Sequence, residues 1–437
     1  MRPLKRLTFE EIKKRLWWVF KGMEDERAEE RVKWELGAVL MSGFAMMFFQ
    51  HRSLLEFQRR MKEKQGKSNL ERVFGVAGIP SDTQMREILD GVEVEPLRGV
   101  LGEIFEEMRR TGWAINYVTE VGGKKYYTVV VDGSEYFHST KIECPGCLRK
   151  EMGKKTHYSH VIVGATLVKA GSRQILPLEV EEVRNEDGTE KQDCEIKAGK
   201  RLIERLRKDH PQLEMCIGGD DLYGHEPFVK ELREERMAFV LTAKPGSHKE
   251  LFEWVNDLEE LEAIEHGGWE AGPACKRKFY EYRAVSQVPL TKSGEVVVNF
   301  IEVWERDRTG KVLYHNSWVT DFEITAESAP VIIGIGRSRW KIENEHFNVQ
   351  KNQGYELEHN YGHGQRTLSM VMCVLNLLAF TTHKVIELGD QLYQRCCLKL
   401  ARYQVWDDLR CLFNRFPYES WSALLTTFLG EPLLDSS

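Results

Sequence analysis

The chain has 437 residues, is 42% hydrophobic and 30% charged, and carries 62 basic against 68 acidic side chains for a formal charge of −6. That composition excludes wholesale disorder, and the length admits roughly two to four structural units around at least one large core. The charge is uneven: residues 1–75 hold 17 Lys/Arg against 11 Asp/Glu, so the acidic total does not exclude a nucleic-acid partner. The nine cysteines are odd in number and scattered, with no signal-peptide pattern before them, which predicts a reduced cytoplasmic compartment. The apolar runs 36–49 and 368–381 fall short of the ~18–20 residues a membrane span requires, so both read as core helices and no membrane partner is expected.

Residues 8–112 read as helical. Thr8-Phe-Glu-Glu11 and Ser81-Asp-Thr-Gln84 are capping-box patterns, Pro96 suits a first helical turn, and Gly112 follows Arg109-Arg110 as a stop. From Tyr126 the texture changes to β-branched runs. Strands are predicted over 126–132, 161–168, 174–180, 213–219 and 238–243, with helices over 192–208 and 226–235. The order β-β-β-α-β-α-β implies a hairpin pair followed by right-handed crossovers adding parallel strands, as in the ribonuclease H core. Residues 245–330 alternate like strands between Gly and Pro punctuation and read as a β-rich insertion; beyond Pro330 the chain is mostly helical. The expected fold is therefore α/β, a ribonuclease H-like mixed sheet with a β-rich insertion, flanked by helical N- and C-terminal regions. Its expected parts are a helical DNA-binding unit over 1–115, a catalytic core over 116–244 and 331–387, the insertion over 245–330, and a helical dimerisation region over 388–437.

Asp132 is expected to end the first strand, and Asp220 directly follows the strand 213–219. If those strands are parallel neighbours, both carboxylates leave the same sheet edge, where sites of open α/β sheets lie. Two hard oxygen ligands with a third acid suit a pair of Mg²⁺ ions. Separately, Asp132-Gly133 could be a turn and Asp220-Asp221 a helix cap. The segment RWKIENEHFNVQK (339–351) supplies the third acid. At ~100° per residue Arg339, Glu343 and Phe347 share a face, Lys351 drifts ~80° from Glu343, and Glu345 points away. That selects Glu343, although an i,i+4 salt bridge on a solvated helix explains the same spacing.

In this ordered set the chain resembles the DDE transposases of bacterial insertion sequences, in the subgroup with a β-insertion between the second Asp and the Glu. The resemblance rests on Val130-Val-Asp132-Gly, Gly219-Asp220-Asp-Leu-Tyr223, Lys191-Gln-Asp-Cys194-Glu and the block from Arg339 to His359, and spans roughly 80–385. It implies a catalytic set of Asp132, Asp220 and Glu343 with Arg339 and Lys351, and two Mg²⁺ (or Mn²⁺) ions per site. The implied reaction is hydrolysis at transposon ends followed by joining of the freed 3′-OH to target DNA. Partners would be transposon-end and target DNA, with a homodimer on DNA, in a bacterial or archaeal cytoplasm at the nucleoid. Two positions depart from the subgroup's Tyr-Arg-Glu-Lys signature. Gly336 stands where a Tyr is expected, and the Lys expected seven residues after the Glu is Gln350, with Lys351 one further on.

Cys144-Pro-Gly-Cys147 is either a turn with two idle thiols or half of a metal site. An antiparallel meander would bring Cys144, Cys147, His160 and Cys194 to one end as tetrahedral Zn²⁺ ligands, with His157 the substitute. Arg59, Arg60 and Lys244 join Arg339 and Lys351 as expected phosphate contacts, against the alternative of a solvated basic face. Two other functional classes fit the same residues: a transposase-derived DNA-binding protein without catalysis, and a metal-dependent nuclease on the same fold.

Overall fold

The computed structural model describes residues 7–28, 30, 32–187 and 191–431, with backbone alone for 191–194. Up to residue 117 the described chain is helical. Ser81 and Gln84 close a reciprocal capping box, whereas at Thr8 only the hydroxyl accepts, from the N–H of Glu11. Gly112 ends the helix Glu95–Arg110 at φ +82°, a backbone angle that favours glycine.

Eleven strands follow among the described residues: β1 Val118–Val121, β2 Lys124–Ser139, β3 Leu148–Met152, β4 Lys155–Leu167, β5 Leu176–Glu182, β6 Met215–Gly219, β7 Ala238–Thr242, β8 Glu265–Ala271, β9 Lys278–Pro289, β10 Val297–Arg306 and β11 Val312–Thr320. They form one mixed sheet in the order β3-β4-β2-β6-β7-β11-β10-β9-β8, with β5 also on β4 and β1 also on β2. β2, β6 and β7 run parallel, with Val130 beside Gly218 and Gly218 beside Val240; the other pairings are antiparallel. The helix Lys191–Asp209 crosses from β5 to β6, and Glu226–Glu234 joins the parallel neighbours β6 and β7.

One expectation is corrected by this topology. β2 does not stop at Asp132 but continues to Ser139, because the chain keeps pairing with β4 beyond the acid, Asp132 lying opposite Gly164. The expected β-rich stretch is present and joins the same sheet. Trp318 of β11 pairs with Thr242 of β7, so β11-β10-β9-β8 extends the central sheet and covers what would be an open edge. Two of its elements escaped the sequence reading: the helix Lys249–Glu260, and β8, whose glycines looked like punctuation. A Cβ at Gly268 would stand 2.5 Å from the Tyr280 carbonyl oxygen, so this strand needs glycine for close approach.

The helical ends do not pack as separate units. Leu36–Phe48 lies against Leu368–Gly389, and one apolar cluster runs through both ends and the first half of the sheet. Phe49 stacks on Phe413 at 3.9 Å, and Phe48 meets Trp406 at 5.2 Å. Asn69 donates to the carbonyl of Phe413 (2.5 Å) and accepts from the N–H of Tyr418 (2.6 Å). The surplus of apolar groups after residue 391, expected to serve dimerisation, is thus mostly internal. Val405, Trp406, Leu409 and Phe413 are buried, while Leu398, Leu400 and Tyr403 are exposed. Leu368–Gly389 has 22 residues and is long and apolar enough to cross a membrane, but its apolar stretch is 100% buried inside the fold. Burial, rather than shortness, makes it a core helix.

A buried ion network ties the N-terminal helices to the sheet. Arg98 reaches Glu179 (2.9 Å) and Glu181 (2.7 Å) on β5, and Arg201 and Arg205 reach the same two acids from the crossover helix.

A candidate acidic cleft and a cysteine–histidine cluster

Asp132 and Asp220 are placed by the parallel register. With Val130 beside Gly218, Asp132 lies two residues further along β2 and Asp220, two residues after Gly218, directly follows β6, so the acids stand side by side on adjacent segments. Both line a cleft of about 570 Å³ together with Glu343, Arg339, Asn348 and Lys351. Asp220 accepts the N–H of Leu222 (2.9 Å), and Asp132 accepts that of Gly133 (2.9 Å), so each carboxylate keeps an oxygen for the cleft. Burial, then the charge of Asp220, pushes the Asp132 carboxyl up to about 7. Neighbouring Asp221 serves differently. Burial alone would raise it, but hydrogen bonds with His248 and Ser247 hold it at about 2, and it accepts the N–H of Lys244 (2.7 Å). Asp221 therefore ties down the loop after β7 while Asp220 faces the cleft.

Glu343 comes from a turn that is not α-helical. Residues Ile342–Phe347 form a π-helix between Ala329–Arg337 and the short helix Asn348–Asn352. Phe347 explains its placement: a Cβ on Gly164 would stand 2.8 Å from the Phe347 ring, so the ring packs over that glycine, directly across from Asp132. The π-turn also removes an irregularity of spacing. An i→i+5 turn takes up one extra residue, about 100° of helical rotation, and offsets the ~80° drift expected for Lys351. Lys351, eight residues after Glu343, accordingly lines the cleft, while Gln350 is buried and donates to Asn376 (3.1 Å). Glu345 is not among the cleft residues.

Arg339 lies between the acids, its guanidinium 3.4 Å from Asp132 and 3.8 Å from Glu343. Lys351 donates to the carbonyl of Glu135 (2.6 Å) and pairs with Glu358 (2.9 Å). The three acids do not draw into a tight cluster. Among the described residues, the groups with every ligand atom within 4.8 Å of the others are Cys144, Cys147, His160 and His363, and Asp221, His225 and His248. The donor set nevertheless suits hard divalent cations: it is all carboxylate, partly desolvated, and offset by one guanidinium.

Gly336 has a local explanation. A Cβ there would fall 2.4 Å from the indole nitrogen of Trp318, so the β11 tryptophan fills the space a tyrosine side chain would need. Sequence reasoning gave no role to Glu195, although it stands in the quoted Lys191-Gln-Asp-Cys194-Glu motif. Its carboxylate lies where a Cβ on Gly133 would go, at 2.7 Å, making it a further buried acid beside Asp132. Arg59 and Arg60 are exposed on Leu54–Lys62 and Lys244 is exposed after β7; none of them lines the cleft.

Three of the four residues expected to form a cysteine–histidine group can be placed. Cys144, Cys147 and His160 converge, and among the described residues His363 joins them. The side chain of Cys194 lies outside the described residues. His157 points elsewhere, its Nδ1 2.9 Å from Nε2 of His138. A cleft of about 580 Å³ between Glu95–Arg110 and the crossover helix holds acids and bases that already pair, among them Arg205 with Glu95 and His210 with Glu106. Compared with known proteins, the chain matches no family model and no curated protein.

Proposed function

We propose that the chain is a DNA-cleaving and DNA-joining enzyme of the DDE transposase type. The observation that carries this reading is the pair of Asp132 and Asp220 at adjacent parallel strands, facing one cleft with Glu343, where burial and the charge of Asp220 raise Asp132 to about 7. The strand order β5-β4-β2-β6-β7, three antiparallel strands followed by two parallel additions, supports a ribonuclease H-like core.

Asp132, Asp220 and Glu343 would hold two Mg²⁺ or Mn²⁺ ions, which when bound supply Lewis-acid stabilisation to the attacking and leaving oxygens of a phosphodiester. The chain's own residues do the rest. Arg339, 3.4 Å from Asp132 and 3.8 Å from Glu343, stands at the cleft where its guanidinium would grip a phosphate bidentately. Lys351, tethered by the Glu135 carbonyl at the cleft wall, adds a point charge to the same backbone. In the first reaction water displaces the 3′-oxygen at the element's end; in the second the freed 3′-OH displaces a target 3′-oxygen, so phosphodiesters are exchanged without a covalent enzyme intermediate. Joining two ends to one target requires two clefts, hence a homodimer on DNA. Arg59, Arg60 and Lys244 are surface candidates for the flanking phosphates.

The test uses the full chain, Mg²⁺ and a supercoiled plasmid carrying the gene with its native flanking DNA. Site-specific nicks with 3′-OH ends, followed by joined products, are expected. Cleavage without joining indicates a nuclease, and specific binding without cleavage indicates a DNA-binding derivative; either result overturns the reading.

A further inference from the structure

We infer that Cys144, Cys147, His160 and His363 form a structural zinc site that staples the loop 353–367 to the outer strands of the sheet. The inference does not depend on the reading of the acidic cleft.

The four residues come from three separate parts of the chain. Cys144 and Cys147 flank a tight turn before β3, closed by the N–H of Cys147 donating to the Cys144 carbonyl (3.1 Å). His160 lies within β4, and His363 lies on the loop before Leu368–Gly389. The sulfurs are 3.4 Å apart, too far for a disulfide at about 2.05 Å. His160 Nε2 lies 3.2 Å from Cys144 Sγ and 3.4 Å from Cys147 Sγ. Ligands at about 2.3 Å (S) and about 2.0–2.1 Å (N) around one tetrahedral ion would stand roughly 3.3–3.8 Å apart. The side chains thus already stand near ligand spacing.

The surroundings are those of a built site. Both cysteines and His160 are buried, and His363 Nδ1 is buried without a hydrogen-bond partner. While Nε2 of His160 faces the thiols, its Nδ1 lies 3.6 Å from Glu182, the outer carboxylate that commonly orients a metal-bound histidine. Asn185 clamps the cysteine turn from outside by donating to the Cys147 carbonyl (2.8 Å). His363 is held in place with equal care. It sits between Gly362 (φ +128°) and Gly364 (φ +65°), packs on Phe137 at 3.8 Å, and precedes three N–H groups, of Gln365, Arg366 and Leu368, that the Asp90 carboxylate accepts. Two thiolates and two neutral imidazoles around Zn²⁺ make a neutral centre, which a buried position tolerates.

The staple has a structural consequence. The loop it anchors begins just after Lys351 and includes Glu358, the partner of Lys351, so the metal fixes the wall of the acidic cleft from behind.

The test is metal analysis of the full chain prepared without chelators. One zinc per chain is expected, and Co²⁺ exchanged into the wild type should give visible bands of a tetrahedral site with sulfur-to-cobalt absorption in the near ultraviolet. His363→Ala and Cys147→Ser should each weaken zinc binding at least tenfold, and Cys194→Ser should leave it unchanged. Removing zinc should speed amide exchange across residues 353–367. A wild type that binds no zinc and gives an octahedral Co²⁺ spectrum overturns the site, whether or not the variants fold. If Cys194→Ser loses the metal while His363→Ala keeps it, the assignment of His363 falls.

Discussion

Replacing Asp132 by Asn should stabilise the metal-free protein, and by an amount that grows with pH. The carboxyl is raised from its ordinary 3.8 to about 7 by burial and by Asp220, so the native state keeps a proton that the unfolded chain has already lost. The sign follows. Between about pH 4 and about pH 7 the native state binds more protons than the unfolded state, so wild-type stability falls as pH rises. Above that window, ionising Asp132 inside the fold costs roughly 4 kcal/mol more than in the open chain. Asn carries no charge and can still accept the N–H of Gly133, losing only a 3.4 Å contact to Arg339. Relative to the wild type, Asp132→Asn should therefore gain roughly 2–3 kcal/mol between about pH 5 and about pH 8. Urea unfolding in EDTA at the two pH values measures this directly. Under the proposed function, millimolar Mg²⁺ should then stabilise the wild type but not the variant, because a ligand bound only by the native wild-type carboxylates shifts only that equilibrium. A stability difference that is the same at both pH values would refute the electrostatic argument.

Glu343→Gln should abolish plasmid cleavage while Glu345→Gln leaves it largely intact, since only the first lines the cleft; equal losses in a nicking assay would mean the π-turn presents both acids. At the next turn, Gln350→Lys buries an unpaired charge beside Asn376 and should destabilise by several kcal/mol in chemical denaturation. Lys351→Ala should change stability by less than about 1 kcal/mol and instead weaken DNA cleavage. Gly336→Tyr, which would restore the residue of the transposase signature, should destabilise by at least about 1–3 kcal/mol, because its Cβ alone would lie 2.4 Å from Trp318; an unchanged thermal midpoint would show that the tryptophan can move. Truncation at residue 390 should give an unfolded or aggregating chain, since it strips Trp406, Phe413 and Trp421 from the aromatic cluster around Phe48 and Phe49. A soluble, cooperatively folding truncate would show that the N-terminal helices hold their own core.

Local chemistry was legible without coordinates wherever it depends on neighbours in the chain. The β-branched run ending in Asp132 reads as a buried strand because its pattern matches a sheet covered on both faces. Asp220 reads as a strand-end acid for the same reason, and Ser81 with Gln84 reads as a helix start because the capping hydrogen bonds span three residues. What depends on contacts distant in sequence was not legible. Phe347 lying over Gly164 anchors the π-turn, and that turn brings Lys351 rather than Gln350 to the cleft, a shift no single helical period describes. Trp318 decides that residue 336 is glycine, from another element of the sheet. His363, more than two hundred residues after Cys144, joins the cysteines because Asp90 and two glycines with positive φ turn its loop inward. Periodicity and motif spacing report which face a residue occupies on its own element. Which faces then meet is decided by packing, where one absent Cβ or one buried ring selects the register, and so the acids of the cleft could be named from the sequence while the histidine that joins Cys144, Cys147 and His160 could not.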